Sequence, residues 1–553
     1  MEKKNLPEKF VAWRLYGANL ENLHRDELDM PAPGPKEILV HVDAVGLCFS
    51  DMKIIRAGGS HPKLWWKDLD KHPLTPGHEA VLTVVQAGSD VPNEYAPGNR
   101  YLIQCDIYIK GRSCAFGYGM NGAYSEYQII DERVWQGETR SYLIPLPDSL
   151  SAVGTALIEP WSCVNGAYRL AYRRTPLENG KILIATVPGN SAIYKAGDLF
   201  KAAKPSTVDA LNLSQEAVAA LSAELGISVN SISAITSDAQ YDDIICADMT
   251  DAVLLEDTIN HTAWRGTANF YGKVPTEKCG IDVGALHYCH RYYQGCPSGS
   301  LSELYRTPCR SHLKKGGAAW FPGGAGAMGQ MHVELALSPD GPDRILVSDL
   351  DDARIKHLQD KLAQKAARLG KVLKIVNPKQ YSSEAFDALL KQFAPNGFDD
   401  VVILVPAAAI AEHAMQFLND GALVNFFAGI PAGTPAKFPI GDFVNRGVRL
   451  IGSSGSTFDD MYDTLQLSIT SGFKPQSALA AIGGMNSLKE GLEAVASGRF
   501  PGKTAILPGC PDLPLTQMKD LGKLDAALPA TLDEDGNYTK ATEDLLIQKW
   551  GRH

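Results

Sequence analysis

The stretch PGGAGAMGQ, residues 322–330, decides the fold, and it sits late in a chain of 553 residues. It follows the apolar run AAWF, and Gly324, Gly326 and Gly329 fit G-x-G-x-x-G. That spacing has mechanical reasons. The first glycine permits a tight turn after a strand, and the second lets the backbone approach a pyrophosphate. The third lets the following helix pack close, with the N–H groups at its start, around Ala327 and Met328, aimed at phosphate. Beyond Gly329, RILVSDLDD ends a second strand at Asp349. A carboxylate there accepts the ribose hydroxyls and repels a 2′-phosphate, so the pattern predicts NAD rather than NADP.

Working outward, the region from about 180 to 475 alternates glycine turns, short apolar runs and helical stretches, the mark of βαβ units. It also repeats. YDDIICADMTDAVLLEDTINHTAWRGTANFYG (241–272) and FDDVVILVPAAAIAEHAMQFLNDGALVNFFAG (398–429) both read aromatic–Asp–Asp, strand, helix, Gly, strand, aromatic–Gly. Further on, GCPSGS (295–300) matches GSSGS (452–456). Two tandem Rossmann-like units are expected, near 180–300 and 316–456. Aligned on Pro188-Gly189, the first has Ala192 and Lys195 at the second and third glycines, and Asn212 near the place of Asp349. A lysine where helix and strand touch should block the usual cofactor pose. This unit is either a scaffold kept for packing or oligomer contact, or an altered ligand site.

Composition narrows the function classes. The chain has 45% hydrophobic and 21% charged residues and a net charge of −10. The acidic balance argues against a nucleic-acid partner, and no apolar run reaches membrane-spanning length. MEKKNLPEKF lacks the apolar core of a signal peptide, and the ten cysteines show no paired spacing. A cytoplasmic protein with reduced thiols is expected.

Residues 36–135 have the short runs and Gly/Pro turns of an all-β module. Cys48, His78-Glu79 and Glu159 there and just beyond offer a thiolate, an imidazole and carboxylates. That set suits tetrahedral zinc with one position open, an arrangement that polarises an alcohol oxygen. Each residue alone also has a structural explanation as a core or surface side chain.

GLCFSD, PGHEAV, ALIEPWSCV and GGAGAMGQ with Asp349 together resemble the zinc-dependent medium-chain dehydrogenase/reductase family over roughly 36–175 and 316–515. Within that family, EPWSC, LKKGGAAWFPGGAGAMG and ILPGCPDLPL look most like sugar-phosphate and polyol dehydrogenases of the L-sorbose-1-phosphate reductase type. The resemblance implies an α/β plus β fold: a GroES-like β-rich catalytic domain and doubly wound parallel-sheet units. By position, Cys48 and His78 become metal ligands. Glu79 and Glu159 share the carboxylate role, one on the metal and one on its water. Ser50 starts a proton relay, Lys53 lies near its outer end, and Asp51 orients a ligand. Phe49 replaces the usual glycine and narrows the pocket, and Leu82 stands where the pattern has a glycine. The cysteine-rich lobe is absent, with only Cys105 and Cys114 in its place, so one catalytic zinc is expected. Tyr118 and Trp161 are candidates for pocket lining or for packing.

The implied domains are 1–175 catalytic, 176–305 degenerate Rossmann-like, 306–470 NAD-binding, and 471–553 a return to the catalytic domain with a polar tail and final helix. The implied activity is hydride transfer between NAD(H) and a secondary alcohol of a sugar, polyol or sugar phosphate, with domain closure over the cleft. The small-molecule substrate is the expected partner, in a homo-oligomer, dimer or tetramer. Two rivals stand beside it: an NAD-dependent epimerase or lyase that retains its cofactor, and a non-catalytic nucleotide-sensing or assembly protein.

Overall fold

The structure is a computed structural model that describes residues 6–170, 172–306 and 310–552. It divides into two compact units: the chain up to Asn165 together with the chain from Gly455 on, and Gly166–Ser454. Among the described residues, no helix is long and apolar enough to cross a membrane, and the cysteines are free thiols.

The first unit is built on an eight-stranded sheet. Its central strand, Ile38–Leu47, pairs antiparallel with Glu79–Ala87 on one side and with Lys503–Leu507 on the other. Strand-forming Val, Ile and Leu dominate these runs, and nearly all are buried. Leu82 does not interrupt its strand, where it is buried opposite Val42 and Tyr101. The pairing of residues more than 400 positions apart sets Lys503 beside the end of the strand that leads into Cys48. The tail folds onto the same unit. Glu543, in the helix Lys540–Trp550, accepts hydrogen bonds from the N–H groups of Ala152 and Val153 at 2.8 and 3.0 Å.

The second unit holds one continuous twelve-stranded sheet. The strands of its first half are β1 (Lys181–Ala185), β2 (Thr207–Leu211), β3 (Asn230–Ile232), β4 (Tyr241–Ala247), β5 (Thr262–Tyr271) and β6 (Tyr292–Cys296). Those of its second half are β7 (Ala318–Pro322), β8 (Arg344–Ser348), β9 (Val372–Val376), β10 (Phe398–Ile403), β11 (Leu418–Phe426) and β12 (Arg449–Gly452). The order is β3-β2-β1-β4-β5-β6-β12-β11-β10-β7-β8-β9. Each half is parallel and has the doubly wound 3-2-1-4-5-6 order. The repeat read in the sequence is therefore a repeat of fold.

The Asp-Asp pairs explain part of that repeat. Asp242 and Asp399 accept the N–H at the start of the first strand of their halves, from Lys181 and Ala318. Asp243 and Asp400 are buried, and each pairs with an arginine upstream, Arg173 or Arg310. Each also accepts a backbone N–H four residues after that arginine, from Leu177 or Lys314.

The halves meet through their sixth strands, and the contacts are reciprocal. Strands β6 and β12 pair antiparallel at Tyr292–Ile451 and at Tyr293–Leu450. The short strands Cys279–Asp282 and Pro435–Phe438, equivalent in the repeat, also pair with each other. Gly452 faces the helix Val283–Cys289 of the first half, and a Cβ there would lie 2.5 Å from the carbonyl oxygen of Leu286. Gly295, its counterpart, faces the helix Ile440–Asn445 of the second half, where a Cβ would lie 3.0 Å from the backbone of Phe443. Contacts in which i meets j and j meets i define an isologous interface. Here that interface lies within one chain.

One expectation needs correction. Residues 186–206 form no helix after β1, so Lys195 never stands between helix and strand. It is exposed, and its carbonyl accepts the N–H of Leu301. Pro188, Gly189, Gly197 and Pro205 break any helical run, with Gly189 and Gly197 at positive φ. The crevice at the strand ends is filled by side chains instead. Asn190 donates to Thr186 Oγ1 and to the hydroxyl of Tyr194, and Tyr194 donates to Asp248 at 3.1 Å.

Candidate functional site

In the first unit, Cys48 follows the central strand and caps the helix Phe49–Ala57, while His78 immediately precedes the neighbouring strand and Glu79 opens it. Strand pairing brings the two turns together. One ligand atom each from Cys48, His78 and Glu79 lies within 4.8 Å of the others. Gly77 has positive φ, and a Cβ there would strike the ring of Tyr124, so the turn before His78 requires glycine.

Asp51 holds this arrangement in place. It is fully buried; its Oδ1 lies 2.8 Å from His78 Nδ1, and its Oδ2 accepts from the Tyr124 hydroxyl at 2.6 Å and the Cys48 N–H at 3.0 Å. With Nδ1 engaged, His78 presents Nε2, the carboxylate–histidine arrangement that orients metal ligands. Burial opposes a charge on His78, but the Asp51 carboxylate overrides it and lifts the pKa well above the usual imidazole range. Ser50 Oγ lies 3.3 Å from His78 Nε2. The Tyr118 ring packs 5.5 Å from the His78 ring, so Tyr118 borders the site. Trp161 is core: its Nε1 donates to the Pro475 carbonyl and its ring packs edge-on to Phe473. Lys53 is exposed on the next turn of the Phe49 helix, and Phe49 is itself exposed, beneath the guanidinium of Arg56.

The two glutamates differ. Glu79 is fully buried; its Oε1 binds the ammonium of buried Lys503, and its Oε2 has no hydrogen-bond partner. That oxygen lies where a Cβ on Gly46 would go. A buried carboxylate oxygen without a donor costs about 1–3 kcal/mol, a cost a cation at that point removes. Glu159 stands apart from the Cys48–His78–Glu79 group. Its Oε1 accepts from the thiols of Cys105 at 3.5 Å and Cys163 at 3.8 Å. Burial and the nearby Glu79 raise its pKa to about 7 against the pull of His78 and Lys503. Cys114 lies beside Arg133. A thiol, an imidazole nitrogen and an undonated carboxylate oxygen fit zinc.

Lys503, Tyr124 and Cys163 were not singled out from the sequence as parts of this site. Lys503 arrives from the far end of the chain and carries no local signal. Cys163 is the last residue of the motif EPWSC and Tyr124 follows Tyr118 by six residues, but only the fold aims them inward. A cavity of about 350 Å³ elsewhere in the unit, under the tail helix, is lined by paired charges such as His41–Asp43 and Arg100–Asp43.

In the second unit, β7 runs into the glycine turn and the helix Ala327–Ala336, and Gly326 caps that helix. The positive φ falls on Gly323 rather than on Gly324. Gly324 is required by close approach instead, because a Cβ there would lie 2.8 Å from Val347. At Gly329 a Cβ would lie 2.6 Å from Gly323 O and Gly324 Cα, so the third glycine lets the helix pack on the turn. At Gly326 the nearest atom would be 3.5 Å away. Ala327 and Met328 form the first turn of the helix. Asp349 opens the loop after β8, where Oδ2 accepts from Ala325 N–H at 3.2 Å and Oδ1 from Leu350 N–H at 2.8 Å. Asn212 follows β2 as Asp349 follows β8.

Residues 34–137 match the alcohol dehydrogenase GroES-like domain family. The chain is 23% identical over 536 residues to the uncharacterized protein YggP of Escherichia coli K12, covering 95% of this chain and 94% of that one. It is 29% identical over 172 residues to L-sorbose 1-phosphate reductase of Klebsiella pneumoniae, covering 29% of this chain and 38% of the reductase. Its fold is similar to 2R,3R-butanediol dehydrogenase of Bacillus subtilis, with a TM-score of 0.53 and 16% identity over 90% of this chain and 99% of that one. Residues 34–137 are thus an alcohol dehydrogenase GroES-like domain, and the chain has the medium-chain dehydrogenase fold enlarged by an extra Rossmann-like unit.

Proposed function

We propose that the protein transfers a hydride between NAD and a secondary alcohol of a sugar, polyol or sugar phosphate, with zinc held by Cys48, His78 and a carboxylate. The observation that carries this is the convergence of Cys48, His78 and Glu79, with Asp51 locked behind His78. Bound there, zinc supplies Lewis acidity, and the nicotinamide supplies a hydride acceptor. The chain's own residues do the rest. Asp51 fixes the face that His78 presents. Lys503 offsets the charge of Glu79. The Ser50 hydroxyl, against His78, is placed to pass a proton from the substrate, and exposed Lys53 marks the outer end of that path. Glu159 can hold or release a proton near neutral pH and is the second candidate carboxylate. Gly324, Gly326 and Gly329, with Ala327 and Met328, cradle the pyrophosphate, and Asp349 takes the ribose hydroxyls. Asp351 and Asp352 follow it closely and add negative charge against a 2′-phosphate, so NAD is the favoured cofactor. The sugar and polyol preference draws on the likeness to L-sorbose 1-phosphate reductase.

The test is elemental analysis of protein purified without chelator, alongside His78→Ala and a polyol and sugar-phosphate panel with NAD. About one zinc per chain, lost with turnover in the variant, supports the reading. A folded, NAD-binding parent that takes up no zinc even when zinc is added back refutes it.

A further inference from the structure

In a chain of net charge −10, residues 52–67 carry four cations, Lys53, Arg56, Lys63 and Lys67, and no acid. The fold brings this run against the metal-site residues through one ring. Tyr118 packs 5.5 Å from His78 on one side and 5.6 Å from His61 on another, and the Lys63 ammonium lies 5.5 Å from its centroid. The Lys63 backbone N–H donates to His61 Nδ1 at 3.3 Å, so the ring proton of the neutral imidazole is on Nε2, which is a donor. The Lys67 ammonium donates to the His61 carbonyl at 2.9 Å. Burial first, then Lys63, Lys67 and Lys53, push the His61 pKa down to about 4, which keeps the ring neutral. Asp106, 3.3 Å from the Lys63 ammonium, offsets one of these charges. What remains is a group of ammonium and imidazole N–H donors one ring away from the catalytic centre, and such a group selects an anion.

We propose that Lys63, Lys67 and His61 bind the phosphate of a phosphorylated sugar or polyol whose alcohol carbon reaches the Cys48–His78–Glu79 centre. This rests on the dehydrogenase reading and narrows it: the substrate is a phosphate monoester, held at one end by lysines and oxidised at the other. Tyr118 forms the floor between the two ends.

The test uses the full-length, zinc-loaded chain with NAD at saturation, so that the pyrophosphate cradle is occupied. Inorganic phosphate binding is measured by calorimetry for the parent and for K63Q/K67Q. Turnover is compared on hexitols and on the matching hexitol 1-phosphates. Phosphate should bind the parent and bind the double variant about 100-fold more weakly, one tenfold step for each charge-assisted contact. The hexitol 1-phosphates should be preferred in the parent by a similar factor, and that preference should collapse in the variant while hexitol turnover is kept. Phosphate binding that survives K63Q/K67Q, or equal turnover of the two substrate sets, overturns the proposal. Turnover of hexitols without phosphate binding leaves the dehydrogenase standing and removes the anion site. Phosphate binding lost in K63Q/K67Q with no turnover of either set does the reverse.

Discussion

The glycine turn separates two roles that sequence motifs merge, and a pair of alanine substitutions pulls them apart. At Gly326 the backbone has φ −69° and ψ 168°, which alanine adopts without strain. The added Cβ would meet nothing closer than 3.5 Å. Alanine restricts the unfolded chain, worth about 0.4–1 kcal/mol in favour of folding. It is also a poorer helix cap than glycine, which costs about as much. The two nearly cancel, so Gly326→Ala should leave stability without cofactor within about 0.5 kcal/mol of the parent. Its methyl would nevertheless stand where backbone must approach the pyrophosphate, and NADH should bind at least about tenfold more weakly, some 1.4 kcal/mol. Gly329→Ala differs. Its Cβ would lie 2.6 Å from Gly323 O and Gly324 Cα, both backbone atoms that cannot swing aside. The helix must shift, at a cost of about 1–3 kcal/mol of stability, and affinity falls with it. NADH fluorescence titration and denaturation of both variants decide the matter. Unchanged NADH affinity in Gly326→Ala would refute the assignment of the turn as a pyrophosphate cradle. Equal destabilisation by the two substitutions would refute the packing account.

Asp51→Asn should lower zinc affinity about 10–100-fold, measured by chelator competition, because it loosens His78 while leaving every ligand in place. Asp349→Ser should raise NADP affinity relative to NAD by at least about tenfold in binding titrations, since the carboxylate that repels a 2′-phosphate is gone. Calorimetry should find about one NAD site per chain, not two, because Tyr194 and Asn190 fill the crevice of the first half. Burial holds His332 neutral down to about pH 3, and its Nδ1 meets the Tyr168 hydroxyl at 2.6 Å. The unfolded chain protonates this histidine near pH 6.5, so stability should fall as pH drops from about 6.5 toward 3, by up to roughly 5 kcal/mol. His332→Phe should flatten that limb of a thermal-unfolding series, and an unchanged slope would contradict the assignment.

Local and periodic features were legible in the sequence; long-range ones were not. The repeat of Asp-Asp strands survived because each aspartate does the same job in both halves, holding the first strand and an upstream arginine. The turns carrying Cys48 and His78-Glu79 were visible because their residue types are unusual together. Lys503 was invisible, since its role depends on a strand pairing across most of the chain. The missing helix after β1 shows the opposite failure. Its Pro and Gly residues were present in the sequence, but alignment to the second half imposed a helix that the breakers forbid. The positive φ falls on Gly323, one residue before the first glycine of G-x-G-x-x-G, a backbone conformation the motif does not specify.

The extra half can be accounted for without any ligand of its own. Strand β12, Arg449–Gly452, is buried throughout, and on its far side it pairs with β6. Without β6, that buried strand would be an open edge, a template for pairing with another chain. Gly452 and Gly295 add a second requirement: each is fitted to a helix of the other half, so neither half completes its packing alone. An interface of this reciprocal form can close between two copies of a chain or within one. In this protein it closes within one, and that constrains the two halves differently. The second half must keep both the interface and the glycine turn. The first must keep only the interface, and its sequence agrees: Gly295, Phe270 and the Asp242–Asp243 pair match their counterparts, while the turn after β1 has lost its helix and filled its crevice with Tyr194. What persists in the first half is what the junction and the core need, and what has changed is what a dinucleotide would need.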